Sequence, residues 1–389
     1  MSDVPDIDLD EIYGQRPEDV PAGSRDFAPW HLPVKQIVRD YQWGSALTSH
    51  LKKYPCANRR LNYLTLPGPD MWDVRVLSDI CAKFTIELEY LGFIGTGEAE
   101  PRGNEFWFPA EAALKQADRV SDASQITPDR LEQIAVPSSQ AAQLLKGSRK
   151  FDVVNLDFCD HLTGNGTVER PTNMASLKAL ITHQLGAAQP WLLYLTTRVT
   201  TDGLVGDIQE IWNAIKDNLA RPESNFDVEI SAAVGADFGD FEECVRNILS
   251  APDERLVRLF AVGVGKFLLA VLSRQPNFPG SVEMISCYAY RVAHTEPDML
   301  AVAFRLNTGP QTLLAEPASA PLVEAAAAAA VAKKVEVRFW DIDQAMDSDE
   351  KTREAAISGT RKLLLASNYD VDAWQTWVDR HARQGLRAR

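Results

Sequence analysis

The fold is decided by the stretch FDVVNLD, residues 151–157, in a chain of 389 residues. Its apolar residues follow one another without the polar alternation that a strand with one wet face shows. Such a run is typical of a central strand in a parallel sheet, which is buried on both faces. Parallel strands need crossover connections, usually helices, so helical segments are expected before and after it.

A strand, a helix and a second strand precede this stretch. Residues 60–66 (RLNYLTL) predict a strand that ends in the turn PGPD at 67–70. Residues 74–84 carry apolar side chains at helical spacing, and residues 88–94 predict the next strand. This β-α-β order ahead of the central strand favours a Rossmann-like sheet.

After the central strand the pattern continues and then changes. Residues 173–185 and 203–219 predict helices on either side of a strand at 191–199. Two later strand candidates, 281–292 and 299–306, are joined by a connection too short for a crossover, which indicates a hairpin. The fold class is therefore α/β, a Rossmann-like, mostly parallel sheet with a terminal antiparallel hairpin.

The sequence divides into segments of different character. They are an acidic flexible tail (1–26), a basic and aromatic N-terminal helical segment (27–57), a Rossmann-like core (58–220), a helical insertion (221–279), a sheet-completing β-hairpin (280–310) and a C-terminal helical region (311–389).

Composition narrows the classes of protein. Lys and Arg number 40 against 54 Asp and Glu, and this net charge of −14 argues against indiscriminate nucleic-acid binding. The longest apolar stretch, 256–272, is interrupted by Arg258 and Lys266, and residues 1–10 carry no secretory signal pattern. The five cysteines form no CxxC pair, as is usual for reduced thiols. We expect a cytoplasmic protein without a membrane span.

A ligand site is expected at the carboxyl ends of the parallel strands, where open α/β sheets bind ligands. A nucleoside cofactor bound there must come close to the backbone of the loop after the first strand, which requires glycine. It also needs an acidic side chain after the second strand to accept hydrogen bonds from the ribose hydroxyls. Gly68 stands at the first place, and Glu98 or Glu100 at the second. Alternatively, 67–70 is an ordinary turn and the acidic loop is only solvated.

The end of the central strand concentrates reactive side chains. The stretch NLDFCDH, residues 155–161, holds two carboxylates, an imidazole, a thiol and an amide, which could orient or deprotonate a nucleophile. Alternatively, Asp160 caps a turn, Cys159 is buried and His161 is exposed. We predict no metal site, because His161 has no second ligand two to four residues further on and the acids at 341–349 lack the glycine and glutamate of a calcium loop.

This order of elements resembles the class I S-adenosylmethionine-dependent methyltransferase fold, in which a reversed seventh strand is inserted beside the fifth. The resemblance covers about residues 58–220 and 280–307. It implies S-adenosylmethionine as the cofactor, with the following residues in its site: Leu66, Pro67, Gly68, Asp70, Glu98, Glu100 and Asn155. The loop after the first strand keeps only one of the glycines typical of the family.

The same resemblance implies a catalytic role for Asp157, and the cluster at 155–161 makes Asp160 the second predicted catalytic residue. The stretch LDFC, 156–159, stands where many members hold the target amino group with an Asp-Pro-Pro-Tyr-like motif. Both prolines and the tyrosine of that motif are replaced in this chain.

The segment before the first strand is basic and aromatic. It could lie over the ligand crevice, because cations attract phosphates and exposed aromatic rings stack on unpaired bases. Substrate contacts are therefore expected from Lys35, Arg39, Trp43, Arg59 and Arg60. The alternative is that the cations are solvated and the aromatic side chains pack on the sheet.

Two functions follow from these patterns. The first is a methyltransferase that moves a methyl group from S-adenosylmethionine to a nucleic-acid or protein acceptor. The second is a catalytically inactive, methyltransferase-like scaffold or binding subunit of a larger complex, nucleic-acid-associated or serving in defence. A role as a bacterial accessory protein is compatible with both. The expected partners are nucleic acid, through the basic segment, and other proteins.

Overall fold

A computed structural model describes residues 26–95, 107–274, 280–308 and 320–387. Within these ranges the strands form one sheet. They are β1 (Arg60–Thr65), β2 (Glu87–Phe93), β3 (Gln125–Thr127), β4 (Val153–His161), β5 (Trp191–Arg198), β6 (Ser281–Tyr290), β7 (Met299–Asn307) and β8 (Phe339–Asp341). Of the predicted acidic tail, residues 1–25 lie outside the described part of the chain.

The strand order across the sheet is β3-β2-β1-β4-β5-β7-β6-β8. Neighbouring strands pair in parallel everywhere except at β7, which is antiparallel to both β5 and β6. The predicted α/β class and the antiparallel hairpin are therefore confirmed. The reversed β7 beside β5 is the feature that the methyltransferase resemblance implied.

Helices cover both faces of the sheet. They are α1 (Pro33–Ile37), a π-helix (Val38–Gly44), α2 (Ser45–Lys53), α3 (Trp72–Lys83), α4 (Phe108–Gln116), α5 (Gln140–Gly147), α6 (Asn173–Gln184), α7 (Ile208–Leu219), α8 (Phe226–Val234), α9 (Phe241–Ser250), α10 (Glu254–Ser273), α11 (Ala320–Arg338), α12 (Ile342–Ser348), α13 (Glu350–Ala366) and α14 (Val371–Arg387). Successive side chains of β1 point to opposite faces of the sheet. Tyr63 packs in the core beneath α1, α2 and α3, and Leu64 packs in the core beneath α6, α7 and α10.

The segment predicted as a helical insertion forms α8, α9 and α10. By length and composition α10 is the one described helix that could cross a membrane, but 83% of its most apolar window is buried inside the protein. It packs against α7, α8, α11 and β6. The helix is thus an element of the central core, and the cytoplasmic location stays a prediction.

Two short strands and a helix boundary differ from the sequence prediction. β3 and β8 each have three residues, too few for a periodic pattern, and they form because longer strands offer a free edge. The composition of residues 131–145 predicts one weak helix, whereas the structure has a 3₁₀-helix (Leu131–Ala135) followed by α5. Helix α5 starts where the Ser139 hydroxyl accepts a hydrogen bond from the Ala142 amide.

The N-terminal segment and the C-terminal helices pack against each other. Trp374 of α14 is fully buried, and its indole Nε1 donates to the carbonyl of His31 at 2.9 Å. The Trp72 indole at the start of α3 likewise donates to the Ser367 hydroxyl at 2.8 Å. The segment around His31 and the C-terminal helices are therefore held beside the start of α3, where the ligand crevice was predicted.

Candidate functional site

A cavity of about 450 Å³ opens at the carboxyl ends of β1, β2 and β4. It lies at the point where the strand order reverses, since β1 is flanked by β2 on one side and by β4 on the other. Ligands of open α/β sheets bind at this switch point. The cavity wall comes from residues 66–73, 93–95, 130–132 and 157–160, together with Trp30, Arg39, Trp43 and Asn173.

The loop after β1 forms one side of the cavity. Leu66, Pro67, Gly68 and Asp70, all predicted to bind the cofactor, line it. A methyl group added at Gly68 would meet no protein atom within 4 Å, so the backbone here is open to an approaching ligand.

Asp70 is buried where the N-terminal segment meets the C-terminal helical region. Its carboxylate accepts a hydrogen bond from the Tyr369 hydroxyl at 2.8 Å, and the Nε2 atom of His31 lies 3.6 Å away. Burial lowers the pKa of His31, while the nearby Asp70 carboxylate acts in the opposite direction. This acid therefore fastens the N-terminal segment and the C-terminal helices to the cavity wall.

Asp73 is a buried acid of the cavity that the sequence analysis missed. It accepts hydrogen bonds from the hydroxyls of Tyr63 (2.8 Å) and Thr65 (2.5 Å). Burial raises the pKa of Asp73, and these hydrogen bonds work against that rise. The signal in the sequence was an acid in the first turn of the helix that follows the first strand.

Asp157 reaches the cavity from β4, as predicted for the acceptor site. Its carboxylate contacts the ammonium group of Lys35, from α1. The Nζ atom of Lys35 also lies 5.7 Å from the ring centres of Trp43 and of Tyr290, within the range of cation–π contacts. The acid predicted to hold an acceptor amine thus holds an amine of its own chain.

Three of the predicted substrate-binding residues are buried rather than displayed. Lys35, Arg39 and Trp43 are 7%, 3% and 1% exposed, and Arg39 and Trp43 line the cavity. They cannot form an open phosphate-binding surface, which corrects that part of the prediction. The π-helix that carries Arg39 and Trp43 packs against α3 and β7, and α1, which carries Lys35, packs against α13.

Three other predicted site residues are placed away from the cavity. Arg60 begins β1, at the amino end of the sheet opposite the crevice, where it pairs with Glu87 and Glu89. Arg59 precedes it and is exposed. Asn155 is buried within β4, and its amide donates to the Tyr63 hydroxyl at 3.0 Å.

The placement of these three corrects the predicted roles of Arg59 and Arg60 in substrate binding and of Asn155 in cofactor binding. Glu98 and Glu100, the predicted ribose-binding acids, lie outside the described residues.

Asp160 lies at the rim and is paired with its neighbour. Its Oδ1 atom is 2.9 Å from Nδ1 of His161, whose Nε2 atom is 2.6 Å from the Thr200 hydroxyl. The imidazole packs directly on Gly203, where an added Cβ would lie 1.8 Å from the ring. Over the four described ranges, no three His, Cys, Asp or Glu side chains gather as a metal site would require.

The fold and the crevice together define a Rossmann-like α/β protein with a reversed strand beside the fifth and a ligand cavity at the switch point. The chain belongs to the PP_RS20740-like family, whose sequence model matches residues 24–379. No curated protein matches it.

One solved structure that it matches is from Listeria monocytogenes and carries the provisional description of a class I S-adenosylmethionine-dependent methyltransferase. The two chains are 9% identical with a TM-score of 0.35, and the match covers 80% of this chain and 73% of the other.

Proposed function

We propose that the cavity binds S-adenosylmethionine and that the protein is a methyltransferase. The observation that carries the proposal is the position of the cavity: it lies at the switch point and is lined by the segments that follow β1, β2 and β4. Its volume falls within the roughly 300–1,000 Å³ of small-molecule sites. The reversed β7 supports the choice of this cofactor over a dinucleotide, through the resemblance it shares with methyltransferases.

The residues that line the cavity can bind an adenosyl group. Phe93, Ile94 and Leu131 give the apolar surface that a purine needs, and Gly68 leaves its backbone open to the ligand. The Nε1 atom of Trp43, buried in the wall, has no hydrogen-bond partner among the described residues, so a donor is available there. Glu98 or Glu100 would accept hydrogen bonds from the ribose.

The bound cofactor supplies an activated methyl group, and the protein positions the acceptor. In this proposal Asp157 orients an acceptor nitrogen once Lys35 is displaced from it. Positioning contributes much of the rate in such transfers, so a sparse set of acids and bases is sufficient. A protein or nucleic-acid acceptor stays a prediction.

A second candidate is a binding module without catalysis. The contact between Lys35 and Asp157 favours this second candidate, because Lys35 occupies the carboxylate that an acceptor nitrogen would have to contact. In this case the cofactor, or its demethylated product, would be held without turnover.

The proposal is tested by calorimetric titration of the full chain with S-adenosylmethionine and S-adenosylhomocysteine. We expect micromolar binding, about −8 kcal/mol, that a Glu98→Ala, Glu100→Ala double variant weakens. A matched double variant of two exposed helical acids, Glu336→Ala and Glu354→Ala, should bind as the wild type does.

The two candidates separate in a turnover assay. Release of S-adenosylhomocysteine in the presence of RNA or peptide acceptors, lost in Asp157→Asn, supports the methyltransferase. Binding without release supports the module. A folded protein that gives no heat with either ligand contradicts both.

A further inference from the structure

Arg39 is a buried cation without a carboxylate partner among the described residues. It is 3% exposed and lines the cavity. Its Nη2 atom donates to the carbonyl of Trp30 at 2.9 Å and its Nη1 atom to Oε1 of Gln36 at 3.3 Å. The guanidinium lies 4.9 Å from the ring centre of Trp72. A guanidinium has five N–H donors, so these neutral contacts leave donors for a further acceptor.

The acids around Arg39 are occupied by other groups. Asp157 contacts Lys35, Asp73 accepts from two hydroxyls, and Asp70 accepts from Tyr369. Burial lowers the pKa of Arg39, and the charges of Asp157 and Asp73 partly offset that effect. A buried charge is costly unless it is paired. An anionic group that enters the cavity would supply the pair.

The π-helix explains how Arg39 reaches this position. A π-helix widens the turn of the backbone, and such turns are frequent at functional sites. Here the segment Val38–Gly44 carries both Arg39 and Trp43 to the cavity wall. The segment thus directs a cation and an aromatic ring at the same space.

The loop after β1 cannot cradle an anion as a glycine-rich loop does. Its sequence LPGPD, 66–70, has one glycine, and its two prolines have no N–H group to donate. In the methyltransferases that this fold resembles, that loop contacts the amino-acid part of the cofactor. Some other group must take over that contact here.

We infer that Arg39 binds the carboxylate of the amino-acid moiety of the adenosyl cofactor. This assignment rests on the proposed function. A guanidinium matches a carboxylate with two parallel hydrogen bonds. The acids Asp70 and Asp73 in the same wall suit the ammonium group of that zwitterion, and their charges disfavour the greater negative charge of a phosphate.

The test compares two ligands that differ in the amino-acid moiety. S-adenosylhomocysteine carries it, and 5′-methylthioadenosine lacks it but keeps the adenosine. For Arg39→Gln we expect the Kd of S-adenosylhomocysteine to rise about 10- to 100-fold, the range for a lost hydrogen bond to a charged group. The Kd of methylthioadenosine should stay within about twofold of the wild type.

Two further variants sharpen the comparison. Arg39→Lys keeps the charge but not the paired geometry, so a smaller loss for S-adenosylhomocysteine is expected. Arg246→Gln, the same change on the exposed side of α9, should alter neither Kd. Unchanged methylthioadenosine binding also shows that the Arg39 variants are folded.

The outcomes separate the assignment from the proposed function. Equal loss of both ligands, or no loss of either, in Arg39→Gln overturns the role of Arg39 and leaves the adenosyl site standing. Competition by millimolar inorganic phosphate against S-adenosylhomocysteine in the wild type also overturns it, in favour of a phosphate ligand. If the folded wild type binds neither adenosyl ligand, the proposed function fails and the assignment with it.

Discussion

The ammonium group of Lys35 contacts the carboxylate of Asp157, 122 residues further along the chain. Their side chains are 9% and 22% exposed. The contact joins the N-terminal segment to the end of β4, at the rim of the cavity. The ion pair therefore adds to the contacts that hold the segment on the sheet, and it occupies the carboxylate that an acceptor would need.

Replacing one partner of this ion pair should lower the free energy of unfolding more than replacing both partners with apolar residues. Lys35→Met or Asp157→Leu alone leaves a largely buried charge, and we expect the free energy of unfolding to fall by about 2–3 kcal/mol, less than for a fully buried pair. The double variant should lose clearly less than the sum. Urea denaturation of the four proteins measures this, and additive losses would show that the two side chains do not interact.

Gly203 is required by the position of the His161 ring. An added Cβ would lie 1.8 Å from Cδ2 and 2.1 Å from Cγ of the imidazole, so Gly203→Ala forces the ring to move. Overpacking of this kind costs about 1–3 kcal/mol, measurable by urea denaturation. Gly147→Ala, at the end of α5 where a Cβ meets nothing within 4 Å, is the control and should be neutral or slightly stabilising.

The ring itself can be removed to check the cause. In a His161→Ala background, Gly203→Ala should cost little, because the clash is gone. The same loss in both backgrounds would locate the strain in the backbone around Gly203 instead of the imidazole.

The sheet could be predicted because its central strands are long and apolar. The run 151–157 and the short hairpin connection after 290 carry enough pattern to give the parallel core and its reversed strand. β3 and β8 could not be predicted, because each exists only through pairing with a longer neighbour. Tertiary context decides such three-residue strands.

The site was predicted where strand polarity alone determines it. Residues 66–70 and 157–160 follow parallel strands, so they lie at the same edge of the sheet. Arg60 begins a strand and must lie at the other edge, which the polarity of β1 already implied. The burial of Arg39 could not be foreseen, because the π-helix changes which side chains face the sheet and an ordinary helical period does not describe it.

Trp374 should hold the C-terminal helices against the cavity wall. It is fully buried beside Trp72 and Leu364, and its indole donates to the carbonyl of His31. Trp374→Ala should cost about 3–5 kcal/mol and increase hydrogen exchange in α13 and α14. Trp377→Ala, at a half-buried position three residues on, should cost less. Equal effects of the two variants would contradict this role of Trp374.

His50 should make the fold sensitive to mild acid. Its ring is 2% exposed and its Nδ1 atom has no hydrogen-bond partner among the described residues. Burial, and then the charge of Arg305, lower the pKa of His50 from 6.5 to about 4. The unfolded chain therefore binds a proton at His50 below pH 6.5 that the folded chain does not bind until about pH 4.

The free energy of unfolding should fall by about 2 kcal/mol between pH 7 and pH 5 through this group. His50→Gln should remove that part of the pH dependence in urea denaturation, whereas His294→Gln, at an exposed turn, should not. Parallel pH profiles of the wild type and His50→Gln would mean that His50 is protonated as easily in the folded chain as in the unfolded one.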